Sequence, residues 1–195
     1  ESSYQALLKG VNTDTCLEIV RQARQKTSVP LVFMTYYNPV LRYGLEKFCS
    51  ACAEAGIDGL IVPDLPPEEG TTLKGFALRY GLDLIYLLAP TSTPERIKMV
   101  AEQSSGYIYL VSVAGVTGAR SSLPPDLTSF IARVRREAKQ PLCVGFGIST
   151  PEQAGEIGEL SDGVIIGSKL IQLMKEDQTL SGLSNFIKSV RSSLS

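Results

Sequence analysis

Apolar residues along the chain form nearly continuous runs rather than alternating one by one with polar residues. Such runs, rich in β-branched residues, are typical of parallel strands that are buried on both faces. Between them, apolar residues recur at the helical spacing of three and four positions. The predicted strands are 30–37, 59–65, 82–90, 106–113, 141–147 and 162–168. The predicted helices are 13–26, 45–55, 68–79, 94–103, 125–138, 151–158 and 180–194, with a further short helix after 168.

Two of the predicted helices begin with the same capping pattern. At 93–96 and at 150–153, a threonine is followed by proline, glutamate and another polar residue. Threonine is a frequent N-cap, and proline suits the first helical position because its missing N–H has no partner there. Thr93 and Thr150 are therefore the predicted N-caps.

The strict alternation of strands and helices predicts a parallel sheet, either doubly wound or closed into an eight-unit barrel. The segment GFGIST at 145–150 fails the dinucleotide-binding pattern, because it follows the fifth predicted strand and ends in Thr150 instead of glycine. A barrel instead binds phosphate with the loops after its last two strands. We therefore predict an α/β fold of the TIM (β/α)8 barrel family, with about six of the eight βα units in a single incomplete domain, 1–195.

Glycine-rich turns follow three of the predicted strands, at 114–118, 145–149 and 165–168. Phosphate is held by several converging backbone N–H groups, and glycine leaves room for that approach. One such turn would be ordinary loop chemistry, but three after successive late strands favour a phosphate site. The candidate surfaces are Gly118, Gly145, Gly147 and Gly167, together with the Ser168 hydroxyl.

Composition narrows the function classes. The 195 residues carry a formal charge of −1, with 44% apolar and 20% charged residues. This balance indicates neither a nucleic acid nor an anionic membrane as partner, and no apolar run approaches the roughly 18 residues of a membrane span. The sequence has no histidine, which excludes Ser-His-Asp and Cys-His catalysis and HExxH metal sites. We expect a reducing compartment, the cytoplasm or, in a plant, the plastid stroma.

The segment CSAC at 49–52 has the spacing of redox and zinc motifs. It lies inside the predicted helix 45–55, where Phe48 and Cys52 share a face and Cys49 is close to it. A redox pair is instead expected at a helix start after a strand, and zinc needs a second pair of ligands. We interpret the two cysteines as packing residues and predict no metal site.

Acidic residues differ in their position relative to the predicted strands. Asp64 is the one acid at the C-terminal end of a strand pattern, whereas Glu68 and Glu69 are predicted in the first turn of the next helix. On a barrel, strand ends carry the active site and strand starts contribute to stability. Acids at strand starts are Asp58, Asp83 and Asp162.

Five segments resemble landmark segments of the tryptophan synthase alpha subunit family, in that family's order, and the resemblance extends over essentially the whole chain. It implies a (β/α)8 barrel and a lyase that cleaves indole-3-glycerol phosphate by a retro-aldol reaction, giving indole and glyceraldehyde 3-phosphate in tryptophan biosynthesis. It implies no cofactor in this subunit and a beta-subunit partner with pyridoxal phosphate in an α2β2 complex. The segments are FMTYYNPVLRYG (33–44), DGLIVPDLPPEE (58–69), YIYLVSVAGVTGAR (107–120), VGFGIST (144–150) and DGVIIGSKLI (162–171).

By position, the resemblance also assigns roles to single residues. The implied phosphate-binding residues are Gly118, Gly147, Gly167 and Ser168. The implied contacts of the indole and glycerol moieties are Tyr36, Ile61, Tyr109, Thr117 and Phe146, with Thr117 on a loop that closes over substrate. The implied beta-subunit interface residues are Asn38 and Asp64.

Two departures from the family pattern are visible. Val113 stands where many bacterial members have arginine, a feature shared with stand-alone plant lyases, so a stand-alone indole-3-glycerol-phosphate lyase is one alternative. The family's catalytic Glu and Asp belong to a segment that we expect before residue 1, together with two βα units. The sequence therefore predicts that no catalytic residue is present in these 195 residues and that their turnover alone is negligible.

Two other hypotheses belong to different classes. A non-catalytic module that docks on a beta subunit and activates it would need Asn38 and Asp64, but not Tyr109 or Thr117. Another phosphate-binding barrel, such as indole-3-glycerol-phosphate synthase, is disfavoured by the segments PDLPPEE and AGVTGAR.

Overall fold

Helices and parallel strands alternate along the chain in a computed structural model that describes residues 2–111, 126–145 and 147–194. The chain divides into two compact units, Glu1–Tyr86 and Leu87–Ser195. Each unit carries its own parallel sheet, with helices between consecutive strands. This is the α/β order that the apolar runs predict.

The first unit holds a three-stranded sheet. Its elements are α1 (Ser2–Leu8), α2 (Thr13–Arg24), β1 (Val32–Met34), α3 (Tyr37–Tyr43), α4 (Leu45–Ala55), β2 (Gly59–Ile61), α5 (Thr71–Arg79) and β3 (Asp83–Ile85). The strands pair in parallel and in chain order, with Val32 opposite Gly59 and Gly59 opposite Asp83. The central strand β2 is buried along its length, as expected of a run without polar alternation.

The second unit holds a four-stranded sheet. Its elements are β4 (Leu87–Leu88), α6 (Pro94–Gln103), β5 (Ile108–Val111), α7 (Leu127–Glu137), β6 (Leu142–Gly145), α8 (Pro151–Gly158), β7 (Gly163–Ile165), α9 (Ser168–Glu176) and α10 (Ser181–Ser193). These strands also pair in parallel and in chain order, with Ile108 opposite Leu142 and Gly145 opposite Ile165. Within the described ranges, β1 and β7 each pair with a single strand.

Helix starts with a capping residue lie where the sequence predicts them. The Thr93 hydroxyl accepts the Arg96 backbone N–H at 3.3 Å, and α6 begins directly after Thr93, at Pro94. Thr150 and Gln153 form a reciprocal capping box, because each side chain accepts a hydrogen bond from the other residue's backbone N–H. Helices α4, α6 and α8 have the predicted bounds.

The prediction that the strand 30–37 runs to residue 37 is wrong. Strand β1 ends at Met34, and the unpredicted helix α3 begins at Tyr37. Pro39 is the third residue of α3, a position where proline removes no intrahelical hydrogen bond. The aromatic run YY, which favours a strand by propensity, is overridden by this helix start.

Other predicted boundaries also differ, and two of these differences affect the order of elements. Glu68 and Glu69 precede α5, which begins at Thr71, because the backbone N–H of Glu69 closes a turn on the Pro66 carbonyl at 3.0 Å. The run 82–90 is not one strand: β3 ends at Ile85, β4 begins at Leu87, and the two strands belong to different sheets.

Helix α4 buries both cysteines of the CSAC segment. Phe48, Cys49 and Cys52 are at most 2% exposed, as predicted for packing residues. Burial raises the pKa of Cys49 to about 11 and that of Cys52 to about 12, so both thiols stay protonated at neutral pH. Among the described residues, no three His, Cys, Asp or Glu side chains are placed to hold a metal ion. Within the same ranges, no helix has the length and apolar character that a membrane crossing requires.

Candidate functional site

Two predicted substrate contacts lie at the same end of the first unit's sheet. Strands β1 and β2 are parallel partners, with Met34 opposite Ile61, so their C-terminal ends are neighbours. Tyr36 follows β1 as the N-cap residue of α3 and is 69% exposed. Ile61 is the last residue of β2 and is only 5% exposed. At this sheet edge the structure therefore provides one accessible aromatic side chain and one packed aliphatic side chain.

The two predicted interface residues, Asn38 and Asp64, are brought together at the start of α3. The Tyr37 backbone N–H donates to both carboxylate oxygens of Asp64, at 2.9 and 3.1 Å. Asn38 is the next residue along α3. The carboxylate beyond β2 thus bonds directly to the helix that follows β1, although 27 positions separate Tyr37 from Asp64.

Tyr109 is packed inside the second unit. It lies in β5, is 7% exposed, and burial raises the pKa of its phenol above the ordinary value of 10.0. A Cβ atom placed on Gly145 would lie 2.5 Å from the Tyr109 Oη and 2.8 Å from its Cζ. The space at Gly145 is therefore filled by Tyr109, and the sequence-based role of Gly145 as an open surface for phosphate is wrong.

The remaining described residues of the predicted phosphate site lie on two adjacent turns. Gly145 of β6 pairs with Ile165 of β7. Gly147 lies two residues after Gly145, Gly167 lies two residues after Ile165, and both Gly147 and Gly167 are exposed. Gly147 has a φ of +80°, which favours glycine, and a Cβ on Gly167 would meet no atom within 4 Å. Gly167 is the N-cap residue of α9, and the exposed Ser168 is the first residue of that helix.

Three of the predicted site residues lie outside the described residues. They are Thr117, Gly118 and Phe146. Their assigned contacts with substrate and phosphate stay predictions, as does the role of Val113.

Two of the three acids at strand starts, Asp58 and Asp162, are bound within the protein, as predicted for a face that contributes to stability. In the first unit, Asp58 Oδ2 accepts the Leu31 N–H at 2.7 Å and also pairs with the Arg24 guanidinium. Arg24 additionally donates to the carbonyls of Gly56 and Val29, each at 2.6 Å. One arginine therefore ties the end of α2 to the starts of β1 and β2.

The second unit repeats this arrangement. Asp162 Oδ2 accepts the Leu142 N–H at 2.7 Å and pairs with the guanidinium of Arg135 in the last turn of α7. Burial alone would raise the pKa of Asp162, but the Leu142 hydrogen bond and Arg135 outweigh it and hold that pKa below its ordinary value of 3.8. The carboxylate is thus engaged in the fold. The sequence signal for this role is the arginine in a last helical turn, before the next strand.

One buried tyrosine has no counterpart in the sequence-based predictions. Tyr86, between β3 and β4, is 4% exposed, and its hydroxyl has no hydrogen-bond partner among the described residues. A Cβ on Gly70 would overlap this hydroxyl. Burial and, secondarily, the charge of Glu68 raise the pKa of Tyr86.

Comparison with known proteins decides the family. The model of the tryptophan synthase alpha chain family matches residues 1–192. A tryptophan synthase alpha chain from Dehalococcoides mccartyi is 55% identical over 193 residues, which cover 99% of this chain and 76% of the relative. The chain belongs to the tryptophan synthase alpha chain family.

Solved tryptophan synthases share the fold. The structure of Mycobacterium tuberculosis tryptophan synthase matches with a TM-score of 0.89 at 38% identity, covering 97% of this chain and 71% of that one. The tryptophan synthase α2β2 complex of Pyrococcus furiosus matches with a TM-score of 0.90 at 32% identity, covering 97% of this chain and 77% of that one. The α/β fold is therefore that of the family's TIM barrel, as predicted.

Family membership also gives the class of reaction. Tryptophan synthase alpha chains are carbon–carbon lyases of tryptophan biosynthesis that cleave indole-3-glycerol phosphate, and the predicted enzyme class is confirmed. Membership does not test which residues of this chain touch the substrate. Those roles rest on the resemblance of the sequence segments, and the strand ends show which of the residues lie near one another.

Proposed function

We propose that the residues of this chain serve the cleavage of indole-3-glycerol phosphate by holding the substrate. The observation that supports this most directly is the pair of exposed turns after β6 and β7. Gly147 and Gly167 in these turns carry no side chain that would cover their backbone, and Ser168 begins α9. The first backbone N–H groups of a helix have no intrahelical partner, and the helix dipole favours an anion there. A phosphate at this point accepts those N–H groups and the Ser168 hydroxyl.

The open space at Gly167 strengthens this assignment. Because a Cβ there would touch no protein atom within 4 Å, side-chain packing does not require a glycine at this position. Its φ of −123° and ψ of −72° lie outside the extended and helical regions, so the backbone conformation at the N-cap is one physical reason for glycine. Close approach of a ligand to the backbone is a second reason, and the open space is consistent with it. Gly118 completes the proposed phosphate set on the strength of the resemblance.

The indole and glycerol moieties are assigned to Tyr36, Ile61, Tyr109, Thr117 and Phe146. The exposed ring of Tyr36 offers an apolar face, and Ile61 is buried at the end of the strand paired with β1. The Tyr109 phenol is neutral at physiological pH, and burial raises its pKa further above the ordinary value of 10.0. It can orient a substrate but does not supply a proton acceptor, and we assign no acid–base step to residues of this chain.

The proposed partner is a tryptophan synthase beta chain. In support, the Pyrococcus furiosus neighbour is an α2β2 complex. Asn38, in the first turn of α3, and Asp64, whose carboxylate binds the start of that helix, belong to the proposed interface, and pyridoxal phosphate belongs to the partner. We further propose that residues 1–195 form a single, incomplete barrel domain that functions in the cytoplasm, with no nucleic-acid or membrane partner. Its relative from Dehalococcoides mccartyi is bacterial, which fits that compartment.

Binding of glyceraldehyde 3-phosphate, with glyceraldehyde as the control ligand, tests the phosphate site by calorimetry. We expect only the phosphorylated compound to bind, and Gly167→Ala and Ser168→Ala to weaken binding by about tenfold, the value of one hydrogen bond to a charged group. Gly75→Ala and Ser184→Ala are matched controls, since Gly75 lies in α5 and Ser184 is exposed in α10. Equal affinity for both ligands, or unchanged binding in both site variants, would contradict the proposal.

The alternative function, a non-catalytic module that activates a beta chain, is supported by the Pyrococcus furiosus neighbour, an α2β2 complex described as mutually activating. It predicts that the rate of the beta chain with added indole rises when this chain is present, and that Gly167→Ala leaves the rise intact. The lyase assignment additionally requires indole release from indole-3-glycerol phosphate that falls in Gly167→Ala. The two assays therefore separate the functions.

A further inference from the structure

The start of α3 is capped by a side chain from a different strand. Its N-cap residue, Tyr36, makes no side-chain capping bond, and the first helical N–H, that of Tyr37, donates instead to both oxygens of Asp64. Helices usually receive this bond from a side chain within three residues. Here the acceptor comes from beyond β2, so the bond joins two consecutive βα units.

The Asp64 carboxylate is presented by an anchored turn. Its neighbours Val62 and Leu65 are 3% and 2% exposed, and the Leu65 N–H donates to the Val62 carbonyl at 3.1 Å. Asp64 itself is exposed between these two buried side chains. Because the turn is fixed on both sides, the carboxylate holds α3 rather than following it.

We propose that Asp64 is a positioning residue, which fixes the start of α3 and thereby orients Tyr36 and Asn38 together. These two residues flank the bonded Tyr37 amide, one as the N-cap and one as the second helical residue. The roles of Tyr36 in substrate binding and of Asn38 in partner binding rest on the proposed function. The Asp64 carboxylate then connects substrate binding with partner binding, because the helix start that it holds carries both Tyr36 and Asn38.

The length of α3 explains why such a cap is needed. The helix has only seven residues, and helices this short are unstable in water without tertiary contacts. Val40 is its one fully buried residue. With so little apolar anchoring, the bond to Asp64 decides where the first turn lies.

Amide hydrogen exchange at Tyr37, measured by NMR on the full chain, tests the positioning directly. Asp64→Ala removes both acceptors, and we expect Tyr37 exchange to accelerate by about tenfold or more. Asp64→Asn retains an oxygen that accepts the same N–H, so exchange stays within about threefold of the parent. Glu69→Gln removes the same charge from the same loop without touching α3 and is expected to leave exchange unchanged. Unchanged Tyr37 exchange in Asp64→Ala overturns the proposal.

A second measurement separates positioning from direct charge contact with the partner. We expect Asp64→Ala to weaken binding of a tryptophan synthase beta chain by about tenfold and Asp64→Asn to restore most of it. Equal loss in both variants overturns the positioning role in favour of a direct carboxylate contact. If the parent chain binds no beta chain, the partner assignment fails by itself, while the exchange measurement still decides whether Asp64 positions α3.

Discussion

Each unit packs a buried tyrosine against a glycine. The two pairs differ in which atoms of the tyrosine would contact a side chain placed on the glycine. In the first unit, a Cβ on Gly70 would overlap only the Tyr86 hydroxyl, since the ring carbon Cζ lies 3.2 Å away. In the second unit, a Cβ on Gly145 would lie 2.5 Å from the Tyr109 Oη, 2.8 Å from Cζ and 3.0 Å from the Ile165 Cβ. Gly145 is thus enclosed from two sides, by a ring and by a strand.

The difference shows that glycine at a strand end has more than one physical cause. Gly145 is required by the protein's own packing, whereas Gly167, after the neighbouring strand, faces open space. Only the second kind leaves room for a ligand. Packing also distinguishes the two tyrosines: Tyr86 has a hydroxyl that the described structure leaves without a partner, and Tyr109 belongs to the proposed substrate site.

The largest expected effect comes from Gly145→Ala. The added methyl group displaces a buried ring or a neighbouring strand, and overpacking of this kind costs about 1–3 kcal/mol of unfolding free energy. Gly75→Ala is the matched control, because a Cβ there meets nothing within 4 Å and alanine favours the helix. Urea denaturation gives both values. Equal stability of Gly145→Ala and Gly75→Ala would show that the Tyr109 contact is not tight.

A smaller loss is expected from Gly70→Ala, about 1–2 kcal/mol of unfolding free energy, because only the hydroxyl of Tyr86 obstructs the methyl group. Adding Tyr86→Phe removes that obstruction and should restore stability to within about 0.5 kcal/mol. In the second unit, Tyr109→Phe should restore Gly145→Ala only in part, since Cζ and Ile165 remain. A pair of double-mutant cycles measures this contrast. Full rescue in both units would remove the distinction between them.

Strand starts extend the comparison, because both units use an aspartate paired with a helix arginine. Asp162→Asn should cost about 1 kcal/mol of unfolding free energy at pH 6, a value kept small because the pair is nearly half exposed. The folded pKa of Asp162 lies below 3.8, so its stabilisation is present above pH 3.8 and is lost as the pH falls through the folded pKa. Denaturation at several pH values between 6 and 2.5 measures the difference in unfolding free energy between Asp162→Asn and the parent. A difference that grows toward low pH would contradict this assignment.

The smallest expected change in stability is that of Tyr86→Phe alone. Removing a hydroxyl that has no partner in the described structure should leave the unfolding free energy unchanged or raise it by about 0.5 kcal/mol. Tyr109→Phe provides the comparison, with an expected loss in substrate binding rather than in stability. Thermal unfolding together with a binding titration separates the two. A clear loss of stability in Tyr86→Phe would indicate a hydrogen bond to the hydroxyl.

Local sequence patterns were sufficient for much of the fold. Helices α4, α6 and α8 have the predicted bounds, because caps such as Thr150 and a C-terminal glycine such as Gly56 act within one helical turn. The start of α3 was missed for the opposite reason. Its first N–H is satisfied by Asp64, and no pattern within Tyr36–Tyr43 reveals a carboxylate 27 positions away.

The candidate site was predictable to a similar degree. The order of strands places Gly147, Gly167 and Ser168 together, since parallel neighbours end at the same sheet edge. The role of Gly145 was not predictable, because it depends on the Tyr109 ring from the adjacent strand. Identification of single substrate contacts came only from the family resemblance, as apolar residues at strand ends have the same pattern in a core and in a binding site.

Strand order has a consequence for how the chain folds as it is synthesised. Every sheet pairing in the described ranges joins strands that are consecutive in the sequence, such as Val32 with Gly59 and Ile108 with Leu142, which are 27 and 34 positions apart. Each new strand therefore meets a partner that the ribosome has already released. Assembly can proceed by adding one helix and one strand at a time, and the entropic cost of loop closure at each step stays small.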